Sequence, residues 1–390
     1  MRTFLLTLVV LVSAATVHAG EGGTTFRVIT QWSEALDMAK AQGKPIFLDA
    51  YTDWCGWCKE MDKKTFSNAS VAKVMNESFV CVKMEMETGE GIDVAMKYRI
   101  SSYPYFMIFD ANGMPTYRSA GFEPTEAWLV SLEKMKDPSK KLKAPGITAG
   151  IKMEWPEWHR ESYAKGKARK FPDTAVVRSW LEKYPNKFDE MAWSVMLRYD
   201  MGERWETFAL ANETQYVSRY GTEVSTLHEK LSQRTFMAAV ATKNPALLDK
   251  AVALSDPESA DQAQLLRLRY GAMYGQRVQD WKMVGGSVRA MSIRPDAIEN
   301  SNMINEFSWT MYEKCPDKDA LADAAWAMGK ITKDANTDWA LVDTYAAVLY
   351  KSGQTDDAKI AAKRAIELGT AEGADVKETK ALLEKIKAGK

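Results

Sequence analysis

The chain has 390 residues, 52 of them basic and 52 acidic, for a formal net charge of zero. No basic stripe with interleaved aromatics runs through it, which argues against a nucleic-acid partner. The length leaves room for two domains or more, and four cysteines with three histidines leave little material for a metal site.

Residues 1–19 read as a secretory leader (signal peptide). Arg2 supplies the positive start, residues 4–12 are apolar, and Val17-His18-Ala19 ends in a small-residue cleavage pattern. The apolar stretch is too short to span a bilayer, and nothing later reaches that length. No cysteine follows the cleavage site, so no lipid anchor is expected there. The mature protein is expected to be soluble and secreted across the inner membrane, in a bacterial periplasm.

The run Pro45-Ile46-Phe47-Leu48-Asp49-Ala50-Tyr51 predicts a buried strand containing one acid. Trp54-Cys55-Gly56-Trp57-Cys58-Lys59 follows, and Lys59-Glu60-Met61-Asp62-Lys63-Lys64 has helix-forming composition. Cys55 is thus expected at a helix N-terminus, where free N–H groups and the helix dipole favour a thiolate. Cys58, a turn further in, is placed to attack a mixed disulfide formed at Cys55. Asp49 carries the cost of burial, which raises its pKa and suits it to accept a proton from Cys58. The plain alternative for Asp49 is a hydrogen-bonded core acid. A CxxC can also be half of a zinc site, but His18 lies in the leader and His159 and His228 fall far away. The redox reading is preferred, and no metal is expected.

The strand Val80-Cys81-Val82-Lys83-Met84 carries a cysteine that reads as a small buried hydrophobe. Tyr103-Pro104 leads directly into the apolar strand Tyr105-Phe106-Met107-Ile108-Phe109. Proline there suits a cis bond at a strand start and leaves backbone groups for a client peptide. Asp110-Ala111-Asn112-Gly113 then turns the chain into Met114-Pro115-Thr116-Tyr117.

With these residues in view, the stretch 29–135 resembles the thioredoxin superfamily. It is similar in particular to the C-terminal periplasmic domain of transmembrane thiol–disulfide interchange proteins. The matching residues are Lys44-Pro45, Leu48-Asp49, Asp53-Trp54-Cys55, Cys58-Lys59-Glu60, Thr65-Phe66 and Tyr103-Pro104. The resemblance implies an α/β thioredoxin-like fold, a central mixed sheet flanked by helices. It implies Cys55 as nucleophile, Cys58 as resolving cysteine, Asp49 as buried proton acceptor and Pro104 as the cis-proline. Lys83 matches the lysine that pairs with that acid, though it equally suits a snorkelling edge residue. Gly121 matches the glycine beside the active-site groove, and Trp54, Gly56, Trp57, Tyr103 and Pro104 complete the expected client-binding set. Two departures stand out. Gly-Trp separates the cysteines where ordinary thioredoxins have Gly-Pro, and Tyr103 replaces the small or β-branched residue usual before the cis-proline.

Lys136-Asp137-Pro138 ends this part, and Ala144-Pro145-Gly146 marks a flexible junction. The expected organisation is a leader at 1–19, a thioredoxin-like domain at 20–140, a linker at 141–154 and an α-helical domain at 155–390. An internal repeat runs near 303–369, aligning residues 305–327 on 343–365 at a constant offset of 38. Tyr312 matches Tyr350, Ala320 matches Ala358, and Cys315 falls where Gly353 makes the turn. The second copy, with Ala346, Leu349, Gly353, Ala358 and Ala365, resembles a tetratricopeptide repeat. A packed scaffold is the preferred reading of this half, with protein docking on a concave face as a secondary expectation.

The expected activity is extracytoplasmic thiol–disulfide exchange with client proteins, as a reductase more than an oxidase or isomerase. The presence of Asp49 and the absence of histidine between the cysteines favour that direction. No cofactor beyond the Cys55–Cys58 disulfide is expected. An oxidising compartment would leave the pair as a disulfide, so a separate membrane or soluble electron donor is implied. A redox-gated adaptor that recruits partners through its helical half is the rival of a different class.

Overall fold

The computed structural model describes residues 16–18, 23–334 and 337–388. Most of the expected leader therefore lies outside the described residues. No helix among the described residues is long and apolar enough to cross a membrane. Two compact units divide the chain, Met1–Val224 and Ser225–Lys390.

The first unit is built on a mixed sheet of six strands: β1 (Thr16–His18), β2 (Thr25–Val28), β3 (Ile46–Tyr51), β4 (Val80–Glu85), β5 (Tyr105–Phe109) and β6 (Pro115–Ala120). Their order across the sheet is β1-β2-β4-β3-β5-β6. β1 is an edge strand from the end of the expected leader, so removal of residues 1–19 leaves five strands. β3 is central, parallel to β4 and antiparallel to β5. A strand covered on both faces needs a continuous apolar run, and Ile46-Phe47-Leu48 and Ala50 supply it, all fully buried. Asp49 interrupts that run and sits opposite Lys83 on one side and Phe106 on the other.

Helices α1 (Trp32–Gln42), α2 (Gly56–Met61), α3 (Ala69–Ser78), α4 (Gly89–Tyr98) and α5 (Thr125–Lys136) accompany the sheet. Aromatic rings fill the core: Trp128 of α5 meets Phe106 at 4.8 Å and Phe66 at 5.6 Å, and Phe26 meets Phe66 at 5.1 Å. Such edge-on packing adds directional contact to the burial of large apolar rings. The mixed α/β architecture implied by the resemblance is present.

The chain beyond α5 stays with the sheet. The expected linker is tied down where Leu142 N–H donates to Thr116 O and Gly146 N–H to Arg219 O, both at 2.8 Å. A Cβ at residue 146 would lie 2.8 Å from Arg219 Cβ, so this approach requires glycine. Five helices follow in the same unit: α6 (Glu157–Glu161), α7 (Thr174–Lys183), α8 (Glu190–Arg198), α9 (Gly202–Ala211) and α10 (Glu213–Tyr220). Buried ion pairs hold them. Lys97 of α4 reaches Glu190 at 2.8 Å, and Glu223 accepts from Arg99 at 2.6 Å and Arg118 at 2.9 Å. Charges this deep are tolerated only when paired and hydrogen-bonded, and Thr148 and Trp193 supply further donors to Glu190 and Glu223.

The second unit is helical throughout its described residues, from α11 (Val224–Thr242) through α12 (Leu247–Leu254), α13 (Ala260–Val278), α14 (Trp281–Met291), α15 (Ser301–Lys314), α16 (Lys318–Ile331), α17 (Trp339–Ser352), α18 (Thr355–Ala371) and α19 (Lys377–Lys387). The offset of 38 carries α15 onto α17 from end to end, and α16 onto α18 within a few residues. Small residues let the second pair close up: Ala346, Ala347, Ala358, Ala362 and Ala365 are fully buried. The two turns differ as the sequences do. Gly353 ends α17 in the left-handed region at φ 93°, whereas Cys315 ends α15 in extended backbone and is buried.

Candidate functional site

Cys55 is the N-cap of α2, and its Sγ accepts the Cys58 backbone N–H at 3.0 Å. The two sulfurs are joined in a disulfide, with Cα atoms 5.3 Å apart. Both cysteines are buried, while Trp54 and Trp57 of the same motif are 60% and 61% exposed. The sulfurs are thus recessed while the neighbouring indoles project. Gly56 has open space where a side chain would stand. α2 runs on into a π-turn over Asp62–Phe66, so the N-terminus that faces Cys55 belongs to a continuous helical segment.

Asp49 lies in β3, 1% exposed, with Oδ2 2.9 Å from Lys83 Nζ and Oδ1 without a hydrogen-bond partner. Burial pushes the Asp49 carboxyl above the usual carboxylate range, opposed by the nearby Lys83 ammonium and reinforced by Asp62. Lys83 also bonds both oxygens of Asp62, at 2.5 and 2.7 Å. Burial works against the Lys83 ammonium, but Asp49 and Asp62 together hold its pKa above the ordinary lysine value. Of its two readings, Lys83 therefore fits the acid's partner and not a snorkelling edge. Asp62 was not singled out in the sequence. It sits four residues after Cys58, and the helical spacing of the motif is the signal that would have pointed to it.

The Tyr103–Pro104 peptide is cis. The Pro104 carbonyl accepts the Gly121 N–H at 2.9 Å, with Gly121 at φ 97°. That bond continues the β5–β6 pairing one step past Tyr105 and Ala120. Tyr103 stands edge-on to Trp54 with ring centroids 6.0 Å apart, and Trp57 lies 5.6 Å from Phe122. Burial, reinforced by Glu87, pushes the Tyr103 phenol above its ordinary value. Trp54 Nε1–H donates to Glu87 Oε2 at 2.9 Å. The other oxygen of Glu87 pairs with Arg169, and Asp53 pairs with Lys165. Glu87, Arg169 and Lys165 were not legible as site residues, because no local pattern links the segment after α6 to the Trp-Cys motif.

The remaining candidates lie elsewhere. His159 is buried with its ring nitrogens bonded to Tyr199 at 2.9 Å and Ser194 at 3.2 Å, and burial pushes it down to about 3. Cys81 is buried on β4, as expected of a small hydrophobe, and burial raises its thiol strongly.

The first unit thus holds a buried disulfide at a helix start, a buried acid on its central strand and a cis-proline at the start of β5. The family model Thioredox_DsbH, described as a protein of unknown function (DUF255), matches residues 28–126. Residues 28–126 form a thioredoxin-family domain. The DsbH-like, thioredoxin-family domain resembles the thiol:disulfide interchange protein DsbD of Ralstonia nicotianae, 35% identical over 109 residues. That match covers 27% of this chain and 18% of the relative. DsbD of Escherichia coli K12 is 32% identical over 113 residues, 28% of this chain and 20% of that protein. The chain thus spans about a fifth of these relatives. A solved structure of a candidate disulphide-isomerase from Bacteroides thetaiotaomicron is 35% identical, with 29% of this chain and 93% of that one covered and a TM-score of 0.28. The thioredoxin-family domain is oxidoreductase-like, with Cys55–Cys58 as its CxxC pair.

Proposed function

We propose that this protein is a thiol–disulfide oxidoreductase that reduces disulfides in client proteins outside the cytoplasm. In its reduced form the Cys55 thiolate attacks a client disulfide, forming a mixed disulfide and releasing one client thiolate. Cys58 gives its proton to Asp49 and attacks Cys55 Sγ, which restores the Cys55–Cys58 disulfide and releases the second client thiol. Two electrons pass to the client, and a separate donor protein returns two to the disulfide. Lys83 sets the charge on Asp49. The groove bounded by Trp54, Gly56, Trp57, Tyr103, Pro104 and Gly121 receives the client chain.

The observation that carries this reading is the recessed disulfide paired with a buried carboxylate that keeps one oxygen unbonded. The leader pattern of residues 1–19 supports secretion to a periplasm. The helical second unit, tetratricopeptide-like in its last pair, is the scaffold on which a partner would dock. A groove of about 640 Å³ lined by Arg269, Tyr270 and Arg277 is the place to look for one.

The test is the equilibrium reduction potential of Cys55–Cys58, read by thiol-alkylation mass shift across defined redox buffers. A value near that of thioredoxin, about −270 mV, is expected. One between roughly −180 and −120 mV would reverse the direction of electron flow and make the protein an oxidase or isomerase. Failure to cycle at all would leave the adaptor reading.

A further inference from the structure

Trp54 is an exposed tryptophan whose indole N–H is tied down. The residue is 60% exposed, yet the one polar group of its side chain, Nε1–H, is held by Glu87 at 2.9 Å. Glu87 itself is 2% exposed, an unusual place for a carboxylate. Its two oxygens are divided: Oε2 takes the Trp54 indole and Oε1 takes the Arg169 guanidinium. Arg169 is oriented from its own segment, where its Nε–H donates to Ala164 O at 3.0 Å. A second tie runs in parallel from Lys165 to Asp53, the residue before Trp54.

The segment that carries these cations is anchored at its root. Ser162 Oγ accepts from Tyr199 at 2.6 Å and from Arg198 at 2.7 Å, and Arg198 stacks over Tyr163 at 3.5 Å. His159 bonds Tyr199 and Ser194, and Ser194 donates to Met96 O of α4 at 3.0 Å. Arg160 pairs with Asp93 on the same helix. The strap from Tyr163 to Phe171 is therefore rooted in the thioredoxin-family domain at one end. Its Lys165 pairs with Asp53, and its Arg169 reaches Trp54 through Glu87.

We propose that Arg169 is a positioning residue for disulfide exchange, acting through Glu87 to fix the Trp54 indole against Tyr103 as a rigid wall beside Cys55, and so setting affinity for protein disulfides. This rests on the exchange activity proposed above. A fixed aromatic wall loses little entropy when a protein chain lies against it, whereas a free indole must first be ordered. A small disulfide reaches Cys55 without needing the wall.

The test uses the full chain, pre-reduced, mixed with insulin as a protein disulfide or with 2-hydroxyethyl disulfide as a small one. Formation of the Cys55–Cys58 disulfide is followed by alkylation mass shift. Arg169→Gln is expected to raise the half-saturating insulin concentration about tenfold, with the small-disulfide rate unchanged within about twofold. The Trp54 indole N–H resonance, assigned by its loss in Trp54→Phe, should shift and exchange faster with solvent. Arg169→Lys, which keeps the charge but not the fork, should restore part of both effects. The double variant Glu87→Gln/Arg169→Gln removes both charges, and it tests the same point if the single variant fails to fold. An unmoved indole resonance overturns the proposal, as does an equal change, or no change, with the two disulfides. If the unaltered chain exchanges with neither disulfide, the proposed function fails, and the indole resonance alone decides whether Arg169 holds Trp54.

Discussion

Two buried acids of the first unit are treated in opposite ways by their surroundings. Asp49, in β3, has one oxygen on Lys83 and the other without a hydrogen-bond partner. Glu87 has one oxygen on Trp54 and the other on Arg169. Burial with one oxygen unbonded raises the Asp49 pKa above the ordinary carboxylate range. A carboxylate whose oxygens are both engaged is a fixed strut. The contrast separates a group suited to moving a proton from a group suited to holding a ring, though both are buried acids of the first unit.

The sharpest way to break this comparison is to remove the proton-accepting capacity alone. Asp49→Asn keeps the shape and should slow resolution of the mixed disulfide by about 100-fold at neutral pH. The lifetime of a trapped insulin adduct, followed by quenched-flow alkylation, reads that step. In the unaltered protein the rate should rise with pH through the raised pKa of Asp49, because only the ionised acid accepts the proton. In Asp49→Asn that limb should vanish, leaving only the rise set by ionisation of the Cys58 thiol itself. A normal adduct lifetime in Asp49→Asn would remove Asp49 from the mechanism.

Stability should divide the two acids by sign. The folded-state pKa of Asp49 is raised, so the folded chain holds a proton that the unfolded chain has released. Its contribution therefore turns against the fold as pH climbs from the ordinary carboxylate range through that raised value. Asp49→Asn should gain on the order of 1 kcal/mol at neutral pH, with Lys83 still held by Asp62. Glu87→Gln keeps an acceptor for Trp54 but loses the charged partner of Arg169, and should cost about 1–2 kcal/mol. Urea unfolding of the two variants at one pH checks the pair. Equal signs would mean that the orphaned Asp49 oxygen does not mark a strained acid.

What could be read from the sequence follows the range of the forces involved. β5 is found at the expected residues 105–109, and β3 starts one residue late, because runs buried on both faces need no distant partner to be recognised. The cis Tyr103–Pro104 bond and the offset between α15 and α17 were visible for the same reason: each is written in a short local pattern. The helix after Cys55 starts at Gly56, before the composition alone indicated, since Cys55 caps it. The π-turn at Asp62–Phe66, which puts Asp62 on Lys83, had no signal in helix propensity. The attachment of residues 141–224 to the sheet depends on Lys97–Glu190 and Arg99–Glu223, single charges far apart in the chain. Composition marks that stretch as a linker and a helical run; only the three-dimensional pairing makes it part of the first unit.

The smallest effect tests how finely the half-satisfied acid is set. Asp62 shares Lys83 with Asp49, and its side chain is 37% exposed. Its negative charge raises the Asp49 pKa, and its grip on the Lys83 ammonium takes up part of what that ammonium offers Asp49. Asp62→Asn removes both influences at once, and they act in the same direction. The pH limb of mixed-disulfide resolution should therefore move to lower pH, with the rate at neutral pH changed by no more than about two- to fivefold. A stopped-flow pH series on Asp62→Asn beside the unaltered protein reads the shift. Movement to higher pH would mean that Lys83 leaves Asp49 when Asp62 is lost, so that the outer carboxylate anchors the lysine for the inner one. The unpaired oxygen of Asp49 would then depend on a residue half open to solvent, and the proton acceptor would be set by the surface as much as by the core.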